Sequence, residues 1–152
     1  MSDGFIANSE IIYRCVWANE EHKANRYKIE TDGTIQISSP AFHAREVNGE
    51  FRISVDRAML CNNNPKHSLG AKLGIVVSLV VEKVRNIDDP KIQRFKIDVE
   101  PVPLQSNVAH AEIYGVPRFE SVDATRAFRR LCQLLARLAV IECIQLSSSE
   151  KR

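Results

Sequence analysis

Apolar and polar positions alternate with period two through most of the chain, then switch to period 3.6 near residue 120. Ile11-Ile-Tyr-Arg-Cys-Val-Trp17 is β-branched and aromatic and predicts a first strand, with Arg14 interrupting its apolar run. Residues 20–26 form a polar connection. Tyr27–Glu30 and Ile35–Ile37 alternate on either side of Thr31-Asp-Gly-Thr34, and Asp-Gly between alternating runs is a strong hairpin signal. Ser38–Phe42 reads as a turn, with Pro40 biasing Ser39 toward extended backbone. In Phe51–Val55 the residues Phe51, Ile53 and Val55 share one face of a strand, and Arg52 and Ser54 share the other.

Asp56–Cys61 predicts a short helical turn and Asn62–Ser68 a loop. Leu73–Val84 is apolar at nearly every position, which predicts one strand covered on both faces. Asn86–Pro90 turns the chain, and Arg94–Glu100 alternates cleanly, predicting a hairpin partner for the preceding strand. Pro101 and Pro103 end it, because proline cannot donate to the ladder. Ala109–Gly115 is read as a further strand.

The remaining pattern is helical. Ser121 is suited to N-cap a helix, and Asp123 places negative charge in its first turn. Phe128, Leu131, Leu135 and Leu138 recur at helical spacing, joined by Leu134 and Ile141. Arg126, Arg130, Gln133 and Arg137 line the other side and read as solvated. The expected architecture is α+β: a mostly antiparallel, twisted sheet with one long C-terminal helix, Val122 to Ile144, packed on one face. One domain over residues 1–152 suffices, with frayed ends at about 1–9 and 147–152.

Composition changes this picture little. An apolar share of 44% supports one core, and a net charge of +2 argues for neither a nucleic-acid nor an acidic partner. The four cysteines, Cys15, Cys61, Cys132 and Cys143, form no C-x-x-C pair and read as reduced, mostly buried thiols. The start of the chain lacks a basic region ahead of an apolar one, and no apolar run is long enough to span a bilayer. A cytoplasmic protein without membrane attachment is therefore expected.

Candidate chemistry concentrates between Pro101 and Gly115. His110 stands between two alanines that leave room around its ring, and histidine titrates near neutrality. Glu112, two residues on, shares its strand face, the arrangement an acid–base pair needs. Asn107 and Tyr114 are candidate ligand contacts, with a turn role as the alternative for Asn107. If it is buried, Arg14 must find an anion, a carboxylate or a phosphate, and Glu100 or Glu112 would serve as its ion-pair partner; the alternative is exposure on a sheet face. The four histidines are scattered, no ligand spacing suggests a metal, and no phosphate loop or activated nucleophile is present. No cofactor is implied by these residues.

Val99-x-Pro-x-Pro103, then Asn107-x-Ala-His-Ala-x-Ile-x-Gly115, then a basic helix, resembles a group of small bacterial proteins. Tyr13-Arg14, Ala41-Phe42 and Ser54-Val55 match the same group. The resemblance implies a stand-alone domain, associated with toxin or defence genes, and no specific activity. More distantly, the order of a strand ending Tyr-Arg, a strand with Ser and a late strand with Glu is similar to NAD-using ADP-ribosyltransferase-like toxins. That resemblance implies Arg14 at the pyrophosphate, Ser54 at the nicotinamide side and Glu112 at the cationic ribose. The chain departs from it: no Ser-Thr-Ser run follows, and His110 stands where a second Glu or Gln is expected. The expectation is a binding or interaction module with its site at Pro101–Gly115, taking a protein partner or a nucleotide. The alternatives are an NAD-using enzyme and a nucleic-acid-binding domain using the helix arginines.

Overall fold

The computed structural model describes residues 5–18, 26–117 and 121–146. Among these residues nine strands form: β1 (Ile11–Trp17), β2 (Tyr27–Ile29), β3 (Ile35–Ile37), β4 (Arg45–Val47), β5 (Glu50–Arg57), β6 (Gly74–Val80), β7 (Asp98–Pro101), β8 (His110–Val116) and β9 (Val140–Gln145). Two short helices, α1 (Lys66–Leu69) and α2 (Val81–Arg85), accompany one long helix, α3 (Val122–Leu138). The main sheet runs β7-β8-β5-β1-β6-β9, with β4 beside the first part of β5. Every strand pair in it is antiparallel. β2 and β3 make a separate hairpin whose turn carries Gly33 at φ +91°, as Asp32-Gly33 predicts. The α+β architecture with a long helix near its C-terminal end is thus the observed one.

The period-two pattern decides which side chains meet α3. Ile12 and Val16 of β1, Ile53 and Val55 of β5, Ile75, Val77 and Leu79 of β6, and Ala111 and Ile113 of β8 enter one core with Ala127, Leu131 and Leu135. Ser121 caps α3 by accepting the Ala124 amide at 3.0 Å. On the opposite face, the connection between β5 and β6 folds back over β1 and β6. It buries Tyr13, Ala58, Cys61, Leu69, Val76 and Ala109 in a second, smaller cluster.

Several boundaries differ from the sequence reading. α3 stops at Leu138, Ala139 takes an extended conformation (φ −68°, ψ 136°), and the β-branched residues that follow form edge strand β9. The run Leu73–Val84 is two elements: β6 ends at Val80 and α2 begins at Val81. Residues 7–10 cause this. The Val81 amide donates to the Glu10 carbonyl at 3.0 Å and the Glu82 amide to Asn8 at 2.9 Å, satisfying the first donors of a helix. Residues 5–9 are accordingly docked rather than frayed, with Ile6 only 1% exposed. β7 pairs with β8 and not with β6; only residues 98–100 of the expected 94–100 strand belong to it, and it continues through Pro101, which was expected to end it. Arg130 is not simply solvated, because its Nε meets Asp89 at 2.8 Å. Most of the 20–26 connection, including His22, and the 147–152 tail lie outside the described residues.

Candidate functional site

The half of the second face that the β5–β6 connection leaves uncovered belongs to β4, β5, β8 and β7. Register fixes what lies there. Ser54 stands opposite Glu112, Asp56 opposite His110, and Glu100 opposite Glu112 on its other side. Arg45 stands opposite Arg52. A bulge in β8 places Tyr114 and Gly115 against Arg52: Phe51 pairs with Val116 and Ile53 with Ile113, leaving one extra residue in β8. Gly115 sits at φ +77°, and a Cβ there would run into the Lys96 carbonyl, so only glycine fits this close approach. The bulge puts the Tyr114 ring beneath the Arg52 guanidinium, 5.4 Å from its centroid.

Glu112 is the centre of the array. Its side chain is buried, 4% exposed, and both oxygens accept from guanidinium groups. Arg52 Nη1 donates to Oε1 at 3.1 Å, and Arg45 Nη2 to Oε2 at 3.3 Å. Arg52 also reaches Glu50 at 3.1 Å and Glu100 at 3.7 Å. Burial alone would lower the Arg52 pKa, but the acceptors on Glu50 and Glu112 outweigh it and hold the pKa above its ordinary value. Burial, then the charges of Asp98 and Glu100, raise the Tyr114 phenol. This lattice balances two like charges that a bare Arg45–Arg52 pair would set against each other.

His110 lies at the edge of the array. Its Nδ1 is 2.9 Å from the Val102 carbonyl, and a carbonyl only accepts, so Nδ1 carries the proton. Nε2 then faces Glu112 Oε2 at 3.8 Å. His110 ties the proline-containing segment to β8, helped by the Val102 amide on the His110 carbonyl at 3.0 Å. Asn107 is a turn residue: its side chain donates to Asp56 at 2.8 Å and accepts the Ala109 amide at 3.2 Å. Asp56 also receives Ser68 at 2.6 Å.

Arg14 is elsewhere. Tyr13 is in register with Asp56, and Asp56 with His110, so Arg14 projects from the opposite face of the sheet, beneath α3. It meets neither Glu100 nor Glu112. Its guanidinium donates to the carbonyls of Ala41 (3.1 Å), Ser54 (2.8 Å) and His43 (3.3 Å). Of the residues singled out from sequence, the structure brings together the side chains of Ser54, His110, Glu112 and Tyr114 and leaves Asn107 in the adjoining turn. Of these, Arg14 touches only the Ser54 backbone, from the other face of the sheet. Sequence reasoning missed Arg45 and Glu50 and did not single out Arg52 as a site residue. Alternation placed Arg52 beside Ser54, and that was the available signal.

Clefts among the described residues also lie away from this face. One of 520 Å³ lies between α2 and the end of α3, lined by Ile87, Leu134, Leu138 and charged residues. Another of 310 Å³ lies at the start of α3, and a third of 240 Å³ lies beside β3. Among the described residues no group of three or more His, Cys, Asp or Glu could hold a metal ion, and no helix is long and apolar enough to cross a membrane. Comparison with protein-family models, with curated proteins and with solved structures gives no match.

Proposed function

We propose that this chain is a binding module that docks a protein partner through the open face of β4, β5, β8 and β7. The observation that carries the reading is the buried Glu112 carboxylate holding Arg52 and Arg45 in place beside Tyr114. Arginine and tyrosine are the side chains that dominate binding energy at protein interfaces, and they do so best when held rigidly beforehand. Arg45 is 61% exposed at its side chain, so it is available to a partner while still anchored. A proton-transfer role for the His110–Glu112 pair has less support: both Glu112 oxygens and His110 Nδ1 are already engaged. An NAD-using site is disfavoured because the Arg14 side chain lies on the opposite face of the sheet from the side chains of Ser54 and Glu112.

The test is quantitative affinity capture from cell extract with the wild-type chain, Arg45→Glu, Tyr114→Ala and the distant control Lys28→Glu. A protein retained by the wild type and the control but lost by both face variants fits the reading. Retention unaffected by either face variant overturns it. Release of nicotinamide from NAD by the purified wild type would replace it with the enzymatic alternative.

A further inference from the structure

The second of the clefts, at the start of α3, differs from the polar face in one respect: its cations form no ion pair with a described carboxylate, although Asp89 lies near Lys91 and Asp123 on the rim. Arg45, Arg52, Arg57, Arg85 and Arg130 each meet a carboxylate inside the chain. Lys91, Arg94 and Arg126, which line this 310 Å³ cleft with Gln93 and Asp123, pair with none of the described carboxylates. Three cations and one acid therefore converge from two separate elements in a chain whose overall charge is only +2.

The loop that supplies Lys91 and Arg94 is rigidly built. Ile92 is fully buried beneath it. Asp89 accepts the Lys91 amide at 3.0 Å with its side chain, and its carbonyl takes the amides of Ile92 (3.0 Å) and Gln93 (2.9 Å). The same Asp89 is clamped to α3 by Arg130 at 2.8 Å, which fixes the loop against the helix. The Arg94 guanidinium is stacked 4.9 Å from the centre of the Phe95 ring. On the helix side, Arg126 lies one turn inside a 17-residue helix, near its positive end. Cations set around a concavity on two braced backbone elements suit a compact, multiply charged anion with several acceptor oxygens.

We propose that this cleft is a phosphate-binding site, with Lys91, Arg94 and Arg126 contacting the phosphate oxygens. The phosphate comes either from a small phosphorylated molecule or from a polynucleotide backbone. Asp123 limits affinity: it stabilises the first turn of α3, yet it brings a negative charge to the rim of an anion site.

The test uses titration of the purified chain with two probes, pyrophosphate and a short single-stranded oligonucleotide, followed by amide chemical shifts. Thermal melts establish that each variant is folded. Arg126→Gln and Lys91→Gln should each weaken the bound probe about threefold to tenfold, and Asp123→Asn should tighten it about twofold to fivefold. Lys83→Gln, in the neighbouring cleft, should leave it unchanged. Affinity should fall as salt rises from about 50 to about 200 mM. Binding of pyrophosphate with this pattern identifies a small phosphorylated ligand. Binding of the oligonucleotide alone, with the same variant dependence, identifies a polynucleotide backbone. If neither probe shifts the amides of residues 90–94 and 123–127, or if Lys83→Gln weakens binding as much as Arg126→Gln, the site is refuted.

Discussion

Replacing Arg14 by methionine tests how a buried cation is tolerated without a carboxylate. Arg14 is 7% exposed, and burial lowers its pKa to about 10, so it remains charged at neutral pH. A fall from 12.5 to about 10, at about 1.4 kcal/mol per pH unit, corresponds to about 3 kcal/mol of desolvation that the folded state carries. Methionine removes that cost but leaves the carbonyls of Ala41, Ser54 and His43 without their donor. Hydrogen bonds from a charged group contribute about 1.5–3 kcal/mol each, so three of them outweigh the desolvation. The balance is a net loss of about 2–5 kcal/mol. At about 2–4 °C per kcal/mol for a chain of this size, the melting temperature should fall by about 4–20 °C. Arg14→Lys should be no better than methionine, because an ammonium keeps the burial cost and loses the planar fork that reaches three acceptors. An anion-holding Arg14 predicts the reverse, with lysine preserving both fold and activity. A lysine variant as stable as the wild type, or a methionine variant with an unchanged urea midpoint, would refute the structural assignment.

Three further outcomes follow from the packing. Leu135→Ala should cost about 2–5 kcal/mol in urea unfolding, since Leu135 is fully buried on the sheet-facing side of α3, whereas Arg126→Ala should cost under about 0.5 kcal/mol. Glu112→Gln should destabilise by about 2–4 kcal/mol, because Arg52 loses its buried counter-charge, and the Tyr114 ring signals should broaden as Arg52 is released. Burial alone would raise the Asp98 carboxyl, but hydrogen bonds from Arg85, Val99 and Tyr114 outweigh it and leave its pKa lowered. The stability this adds is therefore present above the ordinary carboxylate range, about pH 4, and is lost as pH falls through the lowered folded value. The stability gap between wild type and Arg85→Ala should accordingly shrink in acid; a gap that widens below about pH 4 would contradict the linkage.

Much of the fold was legible because local pattern and tertiary demand agree. The Ser121 cap, the Asp32-Gly33 hairpin and the β5 alternation each rest on a few adjacent residues. The misreadings occur where a distant partner decides. Val140–Ile144 carries apolar residues that extend the stripe of α3, and no glycine or proline marks the break at Ala139. Pairing with β6 makes that segment a strand. Likewise, Val81–Arg85 becomes helical because residues 8 and 10 accept its first amides. β4 is three residues long, too short to show any period, so Arg45 could not be placed opposite Arg52. The Glu112 array depends on β5–β8 and β7–β8 register, which only the folded sheet supplies.

Arg14 and Arg52 show what this dependence means for the site. Both are arginines in strands with apolar neighbours, and chain order alone favours Arg14, the more conspicuous interruption. Ile12 and Val16 bind β1 to the core under α3, and the period of two carries Arg14 to the same side. No described carboxylate pairs with Arg14 there, so three backbone carbonyls from two segments, the 41–43 turn and β5, satisfy it and it becomes a structural tie. Arg52 lies between Phe51 and Ile53, whose packing in the core turns it to the other face. There Glu50, Glu100 and Glu112 converge, and the same side-chain chemistry is left oriented and partly accessible. The neighbours that fix each strand's face, more than the arginine itself, determine which one can meet a ligand.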